Sequence, residues 1–315
     1  MELNVTDVLS SLLALLDFSI ESLLLFLILF KTPKAMTRFK IYLTFLSLNS
    51  LTMSVSVGFI WQPDFLTPPM CIYSEGVFSS LVSTSVMAPL ATGLIVVNTQ
   101  FLLLSYYYAY GQMNSVLSST EMPYIRITLE VLFVFLPALT AAVLMVYSQS
   151  SDSYTQSHTR HSVRDHPNII CYFVGYLDAD GMINYVFALE IICCVFFILS
   201  ASFFLVQLRR RLKNPPHFMT SYTLKLLRMF FTNIVVQSLS PLVCVFLPVL
   251  SLCGFLAVGE FTPPGAFFKL VSVTWLLNSI ISSSLIIFLT KPYRGYVLSR
   301  VKLWSKKAVE ISVSR

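Results

Sequence analysis

Apolar residues run through this chain in seven long stretches that carry few charges, each bounded by a polar or basic loop. The stretches are Val8–Phe30, Ile41–Trp61, Val77–Tyr106, Ile127–Tyr147, Ile183–Gln207, Tyr222–Leu252 and Phe268–Thr290. A hydrocarbon core about 30 Å thick takes about 20 apolar helical residues per crossing, so every stretch is long enough. The third and sixth exceed that need and are expected to tilt or project beyond the bilayer. None shows the period-2 alternation of a barrel strand, and in lipid a lone span satisfies its backbone only as a helix. The pattern predicts an all-α membrane protein: a seven-transmembrane helix bundle forming one domain over 1–315, with 291–315 as its tail.

Charge sets the expected orientation. Four Lys and Arg follow the first stretch, and Arg126 alone lies between the third and fourth. Six lie around the fifth–sixth connection, among them Arg209, Arg210, Arg211 and Lys213, and seven lie in the tail. Only Arg160, Arg164 and Lys269 fall on the opposite side. By the positive-inside rule the amino terminus is expected outside and the carboxyl terminus in the cytosol. The sequon Asn4-Val5-Thr6 then lies on the side where glycosylation occurs. Met1–Asp7 carries Glu2 and Asp7 rather than a basic leader, so the first span is expected to act as its own insertion signal.

The composition, 56% hydrophobic and 11% charged, fits no soluble domain. The longest loop, Ser148–Met182, is about 35 residues, short for an independent domain. The net charge of +6 is scattered over several loops, which suits topology and contact with anionic membrane lipid rather than nucleic acid. Of six cysteines, Cys193, Cys194 and Cys244 sit inside spans, where small apolar packing is the plain role. Cys71 precedes the third span and Cys171 lies in the second outer loop, so a Cys71–Cys171 bridge is chemically permitted; Cys253 is a rival partner.

A seven-helix chain with an outside amino terminus and this cysteine placement looks like a G-protein-coupled receptor. The last span closes as Asn278-Ser279-Ile280-Ile281-Ser282-Ser283-Ser284 and then Leu289-Thr290-Lys291-Pro292-Tyr293-Arg294. Its Pro292-Tyr293-Arg294 resembles the ending of nematode chemoreceptors of the Str superfamily, the Srh and Sri groups in particular. Met219–Leu227, Val236-Gln237-Ser238-Leu239-Ser240-Pro241 and Pro248 in the sixth span, with Asn98 in the third, resemble the same groups. The resemblance implies a chemosensory receptor, acting in olfaction, that takes a small-molecule ligand between its helices and signals to a heterotrimeric G protein. It implies the plasma membrane, a sensory cilium for an olfactory role, and no cofactor. Where the family often carries an acidic residue and an arginine, this chain has Phe101-Leu102-Leu103-Leu104-Ser105-Tyr106-Tyr107-Tyr108, so no ionic lock forms there. The tyrosines are expected to pack and hydrogen-bond, or to form an interfacial aromatic belt.

Polar residues inside spans carry the chemistry. Asp17 and Glu21 are four apart, on one helical face, and each charged acid near the bilayer centre costs about 2.5–3.5 kcal/mol. They are expected to turn inward. Counted along the spans, Glu21 lies about nine residues from the inner boundary, Asn49 and Asn98 about eight and Asn278 about twelve, within reach of one polar layer. With Ser282 these residues are read as a cluster that differs between resting and active states; a static packing network is the alternative. Glu190, near the outer end of the fifth span, is a candidate ligand contact or a structural hydrogen-bonding group. Pro241 and Pro248 are expected to kink the sixth helix above the basic loop Arg209–Lys213, which would face a G protein. After Pro292, the spacing of Tyr293, Val297, Val301, Trp304 and Ala308 predicts a short amphipathic helix along the inner leaflet.

Enzyme classes find little support. His158, His161, His166 and His217 all lie in loops, so no intramembrane metal box forms, and no glycine-rich phosphate loop or serine elbow is present. A secondary transporter, on account of Asp17 and Glu21, or another non-receptor polytopic membrane protein is the alternative.

Overall fold

The structure is a computed structural model that describes residues 5–32, 37–66, 71–74, 82–113, 123–149, 170–171, 182–214, 221–248, 250–251, 265–300 and 302. Seven long helices make the bundle: α1 (Val5–Lys31), α2 (Thr37–Val55), α3 (Thr84–Met113), α4 (Pro123–Tyr147), α5 (Met182–Lys213), α6 (Ser221–Pro241) and α7 (Gly265–Leu289). A short helix, α8 (Lys291–Arg300), follows α7 at a bend of 91°. Among the described residues, six helices have stretches long and apolar enough to cross a membrane, and α7 with α8, taken as one bent span, makes the seventh.

The bundle keeps an apolar core with polar residues set into it, and its outer surface is apolar as well. Along α1, Ala14, Asp17, Glu21, Leu24 and Ile28 recur at alternating three- and four-residue spacing and are all buried. Leu12, Leu15, Leu16, Phe18, Phe26 and Phe30 cover the opposite face and are exposed. The helix therefore buries its two acids and presents leucine and phenylalanine outward, the arrangement lipid favours. On α6, Asn233, Gln237, Ser238 and Ser240 are buried while Leu239, and Val243 and Leu247 in the turns that follow, are exposed.

α3 is the axis of the core. Two thirds (67%) of its most apolar stretch is buried, against 22% for α4 and for α5. It begins later than the stretch read from hydropathy, where Ser83 caps it, and runs on to Met113. The Ser83 hydroxyl accepts from the Ser85 N–H at 3.3 Å and the Ser83 carbonyl takes the next turn's amides. Small residues line the seam between α3 and α4, where a Cβ at Gly93 would meet the Ala138 carbonyl oxygen at 3.6 Å and the Ala142 Cβ at 3.8 Å, ordinary contact that does not require glycine.

Two helices depart from α geometry near the polar core. α2 continues through a π-helical turn, Ser56–Trp61, which ends at Gln62 in the left-handed region (φ 44°). Gly58 in that turn lies so close to α1 that a Cβ would stand 2.6 Å from the Ala14 Cβ. α6 passes at Pro241 into a π-helical turn, Leu242–Phe246. Proline removes an i→i−4 bond, and the wider turn takes up the register change that this break leaves.

At the end of the bundle away from α8, β1 (Pro63–Leu66), β2 (Cys71–Ser74) and β3 (Ile170–Cys171) form an antiparallel sheet in that order. Its register sets Cys71 opposite Cys171 and Ile72 opposite Ile170.

Candidate functional site

The acids of α1 are held by hydroxyls from two neighbouring helices. Glu21 accepts through one oxygen from Ser47 on α2 at 2.8 Å. Its other oxygen accepts from Ser279 at 2.8 Å and from Ser283 at 2.5 Å, both on α7. Asp17, one turn earlier, accepts from Ser54 on α2. Ser279 and Ser283 are four residues apart on one face of α7, and Ser47 and Ser54 are seven apart on one face of α2. Each face is one the helix period dictates. The buried carboxyls thus close a hydroxyl-lined seam joining α1, α2 and α7.

The other members of the expected polar layer serve different joints. Asn49 donates its amide to the Leu94 carbonyl at 3.0 Å and so ties α2 to α3. The Asn278 side-chain oxygen accepts from Ser240 at 2.7 Å, tying α7 to α6. Asn98 lies on the wall of a central cavity. Ser282 borders a smaller cavity beside Glu21, whereas the hydroxyls that reach the carboxyl belong to Ser47, Ser279 and Ser283.

α6 is latched toward its α8 end at two further points. The Tyr106 hydroxyl of α3 meets the Ser238 hydroxyl at 2.6 Å, and its fully buried ring stacks on Phe204 of α5 at 6.3 Å. Asn233 donates to Thr290, at the junction of α7 and α8, at 2.8 Å. With the Ser240–Asn278 bond, three hydrogen-bonded contacts fasten α6 to α3 and α7. Of the tyrosine run, Tyr107 is the exposed member that suits a belt, while Tyr106 and Tyr108 are buried. Ser238 and Ser240 stand within the sixth-span stretch that carries the family resemblance, while Asn233 has no such signal; Asn233 and Ser240, seven residues apart, share the face toward α7, and Ser238 lies on the side toward α3.

Beside the latches lies a cavity of about 60 Å³ between α2, α3, α6 and α7, with a second of about 30 Å³ against Glu21. Pro241, Asn98, Asn278 and Ser279 border both.

At the α8 end, Tyr293 is buried and shares a 2.7 Å hydrogen bond with Thr32, just past the end of α1, while Arg294 is exposed and Pro292 half-buried. The Tyr296 ring takes two cations, Lys31 at 4.5 Å and Arg300 at 5.4 Å. Arg209, Arg210, Arg211 and Lys213 end α5 and are exposed. Pro248 follows the π turn of α6 and is half-buried. Glu190 falls within α5, but its side chain lies outside the described residues, as do Asn4, Cys253, Val301, Trp304, Ala308 and all four histidines. Among the described residues no group of His, Cys, Asp or Glu is disposed to hold a metal.

Seven apolar helices with inward-turned, hydrogen-bonded polar residues and a perpendicular eighth helix define a polytopic membrane protein of the seven-helix receptor class. The family described as serpentine type 7TM GPCR chemoreceptor Srh matches residues 4–303, and the chain belongs to that family. No curated protein matches the chain. Membership makes it a multi-pass chemosensory receptor, a class that is not enzymatic.

Proposed function

We propose that this receptor binds a small extracellular ligand between its helices and activates a heterotrimeric G protein by releasing α6. The observation that carries this reading is the set of three contacts fastening α6 to α3 and α7, Tyr106–Ser238, Ser240–Asn278 and Asn233–Thr290, beside a cavity that Pro241 borders. Each is a short contact between neutral groups, worth about 0.5–1.5 kcal/mol net. A ligand shifts the equilibrium only by its differential affinity for the two states. Breaking all three together costs a few kcal/mol by that estimate, within the range that a small ligand's differential binding supplies.

The remaining assignments follow from this reading. The amino terminus faces outward with a glycan on Asn4, and the tail and α8 face the cytosol at the plasma membrane of a sensory cilium. Arg209, Arg210, Arg211 and Lys213 face the G protein, and Pro241 and Pro248 form the bend about which α6 swings. Glu190 contacts ligand near the outer end of α5. Cys71 and Cys171 form a disulfide, a pairing supported by their facing positions across β2 and β3, since antiparallel partners stand about 4.5–5.5 Å apart at Cα and bridges span about 4.4–6.8 Å. Asp17, Glu21, Asn49, Asn98, Asn278 and Ser282 make the polar layer whose bonds differ between states.

Topology is the first test. With a carboxyl-terminal tag, the protein should lose a glycan in Asn4→Gln, and the tag should become reachable only after permeabilisation. A tag accessible in intact cells would reverse the orientation. Substrate flux without ligand-dependent G-protein activation would instead make the chain a transporter.

A further inference from the structure

Two cations, one from α1 and one from α8, meet at a single aromatic ring. Lys31, the last residue of α1, holds its ammonium 4.5 Å from the centre of the Tyr296 ring. Arg300, at the end of α8, holds its guanidinium 5.4 Å from the same centre, so the two charges lie no more than about 10 Å apart. Both side chains are exposed, and neither has a carboxylate partner among the described residues. Lys40 of α2 donates to the Leu29 carbonyl at 2.6 Å, which holds a third ammonium at the same end of α1. Like charges gathered at about the screening length repel, and an anion that reaches them removes that cost. Beside this charge the surface is aromatic and open. The Phe26 ring stands 6.0 Å from Tyr296 and 5.0 Å from Phe30; it is 39% exposed and Phe30 is 68% exposed. Both phenylalanines belong to the apolar stretch Ser11–Lys31, which is long enough to cross a membrane. The corner therefore offers cations at the membrane boundary and aromatic rings just inside it, the layout that a phospholipid matches.

Building on the cytosolic placement of α8, we propose that the corner between α1 and α8 binds a phosphatidylinositol bisphosphate of the inner leaflet. One phosphate pairs with the Arg300 guanidinium, whose planar fork matches phosphate oxygens, and the other with the Lys31 ammonium. The acyl chains run along Phe26 and Phe30. Two phosphates on one inositol ring stand several ångströms apart and each carries more than one negative charge, so a single headgroup reaches both cations. Phosphatidylserine offers one net charge and an ammonium of its own, which Lys31 and Arg300 repel. A free inositol phosphate has the charge but nothing to lay on the two phenylalanines.

The test uses purified full-length receptor in detergent and native mass spectrometry of its adducts with phosphatidylinositol bisphosphate, phosphatidylserine and inositol trisphosphate. The bisphosphate lipid should bind about tenfold more tightly than either of the others. Lys31→Gln and Arg300→Gln should each weaken it about fivefold. Tyr296→Leu, which removes no charge, should weaken it about threefold by freeing both cations from the ring. Arg294 is exposed two residues before Tyr296, on the far side of α8, so Arg294→Gln should stay within about twofold of the unsubstituted protein. Should Tyr296→Leu fold poorly, the two charge substitutions and the lipid comparison in the unsubstituted protein decide alone. Equal affinity for phosphatidylserine, or an Arg294→Gln effect as large as that of Arg300→Gln, overturns the proposal as general attraction to negative charge. Inositol trisphosphate binding as tightly as the lipid overturns it in favour of a soluble phosphate. Selective binding governed by Lys31 and Arg300, in a receptor whose tail proves extracellular, sustains the site and refutes the orientation. No selectivity in a receptor whose tail proves cytosolic overturns the site and leaves the orientation standing.

Discussion

Replacing Tyr106 with phenylalanine removes one hydroxyl and leaves the fully buried ring stacked on Phe204. Its effect can therefore be assigned to the 2.6 Å contact with Ser238. Ser238 also donates to the Ile234 carbonyl at 2.9 Å, so the substitution orphans no buried group. The loss is then a net hydrogen bond of about 1 kcal/mol, without the larger penalty of an unsatisfied partner. If the bond exists only in the resting state, that loss multiplies the active-to-resting ratio about fivefold. A receptor that rests at roughly 99:1 would move to about 95:5, and ligand-free G-protein activation, normalised to surface expression, should rise by nearly the same factor. Ser238→Ala should act in the same direction, and the double variant should fall short of the sum of the two, because both remove one interaction. Unchanged basal activity in Tyr106→Phe at wild-type expression would show that this bond survives activation and is no latch.

Other consequences are as direct. Glu21→Gln keeps the size of the side chain but turns one acceptor into a donor facing hydroxyls that need an acceptor, so the melting temperature of the purified protein should fall by an amount equivalent to about 1–3 kcal/mol. If Glu21→Gln left expression, stability and signalling all unchanged, the polar layer would have no part in switching. Gly58→Ala places a methyl group against Ala14 and should destabilise by about 1–3 kcal/mol, and Ala14→Gly in the same chain should recover much of the loss in a thermal melt. Cys71→Ser and Cys171→Ser should each cost about 2–4 kcal/mol under oxidising conditions, the pair no more than either alone; additive losses would argue against a shared bridge.

The spans and the inward turn of α1 are legible in the sequence because lipid imposes severe rules: about 20 apolar residues per crossing, and no acid left facing hydrocarbon. Asp17 and Glu21 could be placed on those grounds alone. Their partners could not. Serine is cheap to insert and hydrogen-bonds its own helix readily, as Ser54 and Ser238 also do here. Nothing distinguishes Ser279 and Ser283 from Ser282 until α1 packs against one face of α7. The apolar run before Ser83 conceals where α3 begins, since a capping hydroxyl rather than hydropathy sets that point. The π turns after Val55 and Pro241 are equally hidden, because a one-residue change of helical register has no compositional mark. The tyrosine run could be read as belt or as packing, and burial divides it between the two.

The carboxyl of Glu21 also constrains how the protein is made. Ser47 enters the membrane soon after α1, but Ser279 and Ser283 belong to the last span and are synthesised more than 250 residues later. Until α7 arrives, one carboxyl oxygen of a buried acid has no protein donor, and α1 cannot reach its final packing. A chain cut short before α7 keeps the Ser47 bond but leaves the other oxygen of Glu21 without the two hydroxyls that complete its shell.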